Sequence, residues 1–207
     1  MIFGIIQTME NIPQTIIFVG RSGSGKGTQL RNLKEYLSNK YKDIPVKQIT
    51  TGDIFRAFFN EAGYVQDIAR DVSMKQGKFQ PDFLTNALFI RNAIDIIDEN
   101  STIFFDGYPR SINQLGIVKE LLLYAKRESP IVVNIEVSKE NVRGRMLLRG
   151  RGDDSETAID SRLNEYDKFI VPMLELIKND PFFKYVEVDG EGSVEDVSNN
   201  LIKLLNL

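Results

Sequence analysis

The sequence predicts an α/β domain: one parallel sheet of five strands with helices on both faces. Three observations lead there. Short apolar, β-branched runs alternate along the whole chain with longer stretches of helical spacing, the pattern of successive βαβ units. The first run passes through a glycine loop straight into a helical stretch. Charged motifs fall just past the apolar runs, where a parallel sheet collects its ligands.

The elements follow in order. Residues 15–20 read as a strand and 26–41 as a helix, with Leu30, Leu33 and Leu37 on one stripe. Asp43–Pro45 makes a turn before a strand at 46–50 and a helix at 52–61. Gly63 breaks that helix, and a further helix at 65–76 is closed by Gly77. Pro81 opens a helix that runs to about Glu99, with Phe83, Ala87, Ile90 and Ile94 as its buried stripe. A strand at 102–105, a helix at 113–127, a strand at 131–137 and a helix at 139–148 follow. Residues 150–154 form a polar loop. The helix at 156–178 should kink at Pro172, which has no N–H to give. A strand at 185–188 and a helix at 194–205 end the chain.

Composition narrows the function. The chain has 207 residues, 42% of them hydrophobic, which suits one domain with a substantial core. A net charge of −3 gives no support for binding to nucleic acid or a membrane surface. No apolar run approaches the ~20 residues of a membrane span. Met1–Gln7 is apolar but short and lacks a basic start, so it reads as an N-terminal extension, with Met9 as an alternative start, rather than as a secretory signal. The cytoplasm is the expected compartment. The absence of cysteine and histidine excludes thiol chemistry, a histidine proton shuttle and a Cys/His zinc site. Charge, carboxylates and backbone remain. Four of the twelve arginines lie between Arg143 and Arg151, a local basic cluster that suits a small anionic ligand.

The loop itself spells G-x-x-x-x-G-K from Gly20 to Lys26, followed by Gly27 and Thr28. Its glycines let the backbone turn sharply and aim N–H groups inward, toward the N-terminus of the next helix. Lys26 adds a point charge for terminal phosphates. The hydroxyl comes one residue later than in the simple motif, at Thr28. Farther on, Thr50–Arg56 follows the second strand, and Thr51 or Asp53 is expected to cap the helix there. Asp106, at the end of the third strand, is poor core material and should face a site. Arg145 and Arg149 share a helix face and repel each other unless an anion lies between them. Arg143 reads as a solvated helix-end residue.

The run Gly20-Arg21-Ser22-Gly23-Ser24-Gly25-Lys26-Gly27-Thr28-Gln29 resembles the adenylate kinase and nucleoside monophosphate kinase family. Thr51-Gly52-Asp53 with Arg56, then Gly107-Tyr108-Pro109-Arg110 with Gln114, then Arg149 to Arg162 through Asp153-Asp154 match its later motifs in order. The resemblance covers residues 15–205. It implies a three-layer α/β/α P-loop fold with a helical monophosphate-binding insertion at 51–80 and a short lid at 149–155. The implied activity is reversible, Mg2+-dependent phosphoryl transfer from ATP to AMP, giving two ADP. By resemblance, Gly23, Ser24, Gly25, Lys26, Gly27, Thr28, Arg145 and Arg149 hold ATP, with Arg145 stacked on its adenine. Thr51, Arg56, Gln80, Gly107, Arg110, Gln114, Arg151 and Arg162 hold AMP. Lys26, Arg110, Arg149, Arg151 and Arg162 act in the transfer, while Asp106 and Thr28 hold Mg2+ through water. Asp153 and Asp154 pair with arginines in the closed lid. No zinc and no macromolecular partner are implied, and a monomer is expected.

Gln80 and Phe79 depart from the family's usual Val and Leu, and Phe83 stands where a second acid is usual. A UMP/CMP kinase of the same family is the alternative; Thr51 and Gln114 favour AMP over it, since the pyrimidine enzymes typically carry alanine and asparagine there. A nucleotide-binding switch with little turnover is the alternative of another class. It would need the loop but not two acceptor arginines and a lid cluster.

Overall fold

The computed structural model describes residues 12–72, 76–150 and 155–207. Within these, the five apolar runs form five parallel strands: β1 (Thr15–Val19), β2 (Val46–Thr50), β3 (Thr102–Asp106), β4 (Ile131–Glu136) and β5 (Lys184–Asp189). Their spatial order is β2-β3-β1-β4-β5. Phe18 and Thr50 both pair with Asp106, so the carboxyl ends of β1, β2 and β3 lie level. Sequence neighbours β1 and β2 lie on one side of a reversal and β4 on the other, and such a reversal opens a crevice for ligands.

Side-chain alternation along the strands divides the core in two. Ile16, Phe18, Phe104, Val133 and Ile135 point to one face. There they meet α1 (Lys26–Lys40), α6 (Lys139–Arg149), α7 (Glu156–Glu165) and α9 (Val194–Leu204). Ile17, Val19, Ile103, Phe105 and Val132 point to the other face, covered by α4 (Asp82–Ile96), α5 (Ile112–Tyr124) and α8 (Val171–Asn179). Each fully buried Leu, Ile or Phe contributes about 1.5–3 kcal/mol by leaving water. The helices α2 (Thr51–Asn60) and α3 (Tyr64–Arg70) leave the end of β2 and pack on a small cluster of their own around Phe55, Ala69 and Leu84.

In place of one regular helix over 156–178, the winding changes just before Pro172. A π-helical turn, Tyr166–Ile170, joins α7 to α8, with Pro172 in the first turn of α8. The chain changes faces there: Ile159 and Leu163 belong to one core, Tyr166 and Ile170 to the other.

Four expectations are corrected. On α4 the stripe Phe83, Ala87, Ile94 is exposed, Phe83 at 70% and Ile94 at 63%, and Ile90 is half-buried. The buried face is Leu84, Thr85, Phe89 and Ala93. Apolar residues surround this helix, so spacing alone supports two stripes; the stacking of Phe89 on Tyr108 at 3.8 Å selects one. Neither Thr51 nor Asp53 caps α2. Thr50 holds the N-cap position without a side-chain bond, and Asp53 instead pairs with Arg56. Arg143 is no solvated helix end: it pairs with Asp160 and, at 3.6 Å, with Glu156, tying α6 to α7. Helix ends also come early. α4 stops at Ile96 because Asp98 accepts the N–H groups of Asn100 and Ser101 at 2.9 and 2.8 Å and forms a turn. α5 stops at Tyr124, before Lys126 takes a φ of 54°. Of the helix expected at 65–76, the α-helical part ends at Arg70, and 73–75 lie outside the described residues.

Candidate active site

The glycine loop leaves β1 at Gly20 and enters α1 at Lys26. It threads between β4 and α6. A Cβ on Gly20 would stand 2.6 Å from the Ile135 carbonyl oxygen, and one on Gly23 would stand 2.9 Å from that of Val142. Gly23 also has a φ of +85°, in the left-handed region, so a larger residue would have to displace α6 and adopt a strained backbone. Lys26 Nζ donates to the carbonyl oxygens of Gly20 at 2.7 Å and Arg21 at 2.9 Å. Burial pushes its pKa down to about 8; Asp106 opposes this, while Arg110 and Arg149 add to it.

A cleft of about 400 Å3 opens over the loop. Gly23, Gly25, Lys26, Gly27 and Thr28 form its floor, with Thr50, Gly52 and Arg56 on one wall. Asp106 and Arg110 enter from β3 and the turn after it, and Arg145 and Arg149 from α6. Five expected cationic residues thus converge from four separate segments. Arg145 also donates to the Gly190 carbonyl oxygen at 3.1 Å and lies 3.8 Å from Glu191. The start of α2 faces this cleft without a capping side chain, which leaves first-turn N–H groups for an anion.

A smaller cavity adjoins the cleft through Lys26 and Arg110. Gly107, Arg162, Phe79 and Tyr166 also line it. Arg110 Nε donates to the Gly107 carbonyl oxygen at 2.7 Å, and its guanidinium lies 5.1 Å over the Phe79 ring. Burial disfavours the Arg110 charge, Asp106 favours it and Arg162 disfavours it. Mutual repulsion among these cations is the expected property of a site made for polyanions.

Other expected residues have different surroundings. Thr51 is buried, and its Oγ1 has no hydrogen-bond partner. Ser24 Oγ is buried likewise. Gln114 is buried with its amide orientation set on both sides: Oε1 accepts from the Arg110 N–H at 2.7 Å, and Nε2 donates to Asp82 at 2.7 Å. Gln80 turns its side chain away to the Ala69 carbonyl oxygen, at 2.7 Å. Arg151, Asp153 and Asp154 lie outside the described residues.

Asp106 and Thr28 both face the cleft. Among the described residues no group of three or more His, Cys, Asp or Glu could hold a metal ion. A cation here would take most of its ligands from water and from bound phosphates, and that suits Mg2+, which gives up its hydration reluctantly.

The sequence reading missed several participants. Arg31 lines the cleft one helical turn after Thr28, and that spacing was the available signal. Asp82 accepts from Ser111 Oγ at 3.0 Å as well as from Gln114. Phe79 and Tyr166 line the smaller cavity. Arg21 belongs to the loop, yet its guanidinium turns away to Glu136, Asp167 and the Tyr166 ring. Burial works against the Arg21 charge, but Glu136, Tyr166 and Asp167 outweigh it and raise its pKa.

The family model for adenylate kinase matches residues 18–181. The adenylate kinase of Corynebacterium urealyticum is 33% identical over 183 residues, covering 88% of this chain and 94% of that protein. The adenylate kinase of a Nocardioides species is 33% identical over 196 residues, 93% of this chain and 97% of that one. Adenylate kinase 1 of a Synechocystis species is 33% identical over 190 residues, 92% and 96% respectively.

Proposed function

Because the chain belongs to the adenylate kinase family, and so is a nucleotide phosphotransferase, we propose that it moves the terminal phosphoryl group of Mg2+-bound ATP to AMP, reversibly, giving two ADP. The observation that carries this reading is the convergence of Lys26, Arg56, Arg110, Arg145 and Arg149 with Asp106 on one cleft above the glycine loop. One polyanion needs only the loop. The second set of cations, from α2 and the turn after β3, suits a second phosphate placed in line with the first.

In this reading the loop N–H groups and Lys26 hold the donor phosphates, together with Gly23, Ser24, Gly25, Gly27 and Thr28. Arg145 packs on the donor base. Arg56 and Arg110 position the acceptor phosphate, with Gly107 close beneath it. Thr51, Gln114 and the Gln80 backbone surround the acceptor base. No side chain needs to act as nucleophile, since an acceptor phosphate oxygen attacks the terminal phosphorus and ADP leaves. The protein brings two repelling anions together and neutralises the migrating charge. Lys26, Arg149, Arg162 and Arg151 act most strongly there. When bound, Mg2+ supplies charge neutralisation at the ATP phosphates, and Asp106 and Thr28 would hold it through water. Segments 51–80 and 149–155 close over the ligands and keep out water, which would otherwise accept the phosphoryl group.

The test is to measure ADP from ATP plus AMP against ATP alone, with magnesium present. Two ADP per ATP, dependent on AMP, is expected. Equal rates without AMP would make the chain a hydrolase or switch instead.

A further inference from the structure

Arg21 stands in the phosphate loop but does not face the cleft. Its side chain is 12% exposed. Nη1 donates to Glu136 and, at 3.2 Å, to the Val137 carbonyl oxygen. Nη2 lies 3.5 Å from Asp167 Oδ1, and the guanidinium lies 4.6 Å over the Tyr166 ring. Meanwhile its own carbonyl oxygen accepts from Lys26 Nζ at 2.9 Å and from the Ser24 N–H at 3.1 Å. Whatever fixes the Arg21 side chain therefore also fixes the carbonyl that holds Lys26.

The other Asp167 oxygen accepts from Lys139, the first residue of α6. α6 carries Arg145 and Arg149, and its Val142 touches the loop at Gly23. Asp167 itself sits in the π-helical turn that continues α7, the helix of Arg162. One carboxylate thus joins three elements, and each of the three sends a cation toward the phosphates. Those cations repel one another, so bonds among themselves cannot set their spacing. Anchors behind the site can hold the elements that carry them. A π-helical turn is a frequent feature of functional sites.

We infer that Arg21 and Asp167, with Lys139, form a positioning clamp behind the phosphate loop that sets Arg162 and Arg149 against Lys26. This rests on the phosphoryl-transfer reading above. None of the three touches substrate; they act through the cations they place. The Arg21 arm carries more of the effect, because Lys139 is 56% exposed and its pairing is screened by water. Misplacing a transition-state group by about an ångström can cost up to about 10²-fold in rate. The acceptor arginines Arg56 and Arg110 sit on α2 and the turn after β3, which the clamp does not touch.

The experiment compares the full chain with Asp167→Asn, Arg21→Met, Arg21→Lys and the double variant Arg21→Met with Asp167→Asn. Asp167→Asn and Arg21→Met should each lower kcat about 10-fold. Melting temperature should stay within about 4 °C of the parent. The double variant should be no slower than the worse single one, because both remove one device. Arg21→Lys should recover part of the rate. An unchanged kcat, a multiplicative double variant, or a loss of rate that merely follows a lowered melting temperature overturns the clamp. A parent protein that makes no ADP from ATP and AMP overturns the phosphoryl-transfer reading and the clamp together, so the two failures are told apart.

Discussion

The side-chain nitrogen of Lys26 stands 2.7 Å from the carbonyl oxygen of Gly20, the residue that opens its own loop. With the bond to Arg21 O, two of its three N–H donors are held by backbone. The third is left for an oxygen in the cleft that Lys26 lines.

Lys26→Met should therefore leave the fold intact and lower kcat by about 10²–10³, the scale of losing one charge-stabilising donor. Steady-state kinetics and a thermal melt check this together. Near-normal turnover in a folded variant removes Lys26 from the mechanism.

Lys26 should also make nucleotide binding depend on pH. With its pKa lowered to about 8, about half of these side chains are neutral at pH 8. A bound polyphosphate favours the ammonium. Binding of ATP near pH 8 should take up about half a proton, and affinity should fall as pH rises through about 8. For folding, the unfolded chain holds this proton up to about 10.5 and the folded chain only to about 8. The unfolded state binds more protons in that window, so this group's contribution to stability rises with pH across it. Calorimetry of ATP binding at pH 8 in buffers of different ionisation enthalpy counts the protons; release instead of uptake contradicts the assignment.

Acceptor choice should rest on Gln114 and Thr51. The bonds to Arg110 N–H and Asp82 leave Gln114 one oxygen lone pair and one N–H for a base. That pair matches an adenine edge; uracil presents the opposite pattern and would leave buried polar groups unpaired, while cytosine presents the same pattern and differs by its single, smaller ring. AMP should exceed CMP and UMP by about 10²-fold in kcat/KM. Thr51→Ala with Gln114→Asn should narrow the ratio chiefly by harming AMP. If CMP or UMP is the better acceptor for the parent protein, the pyrimidine kinase reading takes over.

Removing magnesium by chelation should stop turnover and leave the melting temperature unchanged. Among the described residues no carboxylate cluster would hold the ion without nucleotide. A large drop in melting temperature would point to a structural metal instead.

Arg127 should matter for stability alone. It is 2% exposed at the base of the sheet, and its guanidinium donates to Thr15 Oγ1 and to the carbonyl oxygens of Gln14, Asp98 and Ser101. Arg127→Met would leave the carbonyl oxygens of Asp98 and Ser101 without this donor, at about 1 kcal/mol or more each, while the Gln14 carbonyl oxygen keeps its bond from the Ile103 N–H. A loss of about 2 kcal/mol or more in denaturant unfolding is expected, with KM values unchanged in the folded fraction. A loss below about 1 kcal/mol would mean that water replaces the bonds.

The sequence by itself determined the features that short-range chemistry specifies. The loop from Gly20 to Thr28 needs glycine at fixed positions and lies between a strand and a helix that it adjoins in sequence. The five strands, their parallel arrangement and the place of Asp106 at the end of the third could be read the same way. Only the tertiary structure decided which face of α4 is buried, because apolar residues surround that helix and the choice lies with Tyr108 on another element. Only it decided the surroundings of each arginine. A guanidinium carries the same charge whether it lines the cleft, as in Arg110, or is neutralised behind the loop, as in Arg21. The partners that settle the matter stand far off in the chain: Glu136 for Arg21, Thr15 for Arg127. Helix and strand periodicity reports neighbours a few residues apart, and contacts at such separations leave no periodic trace.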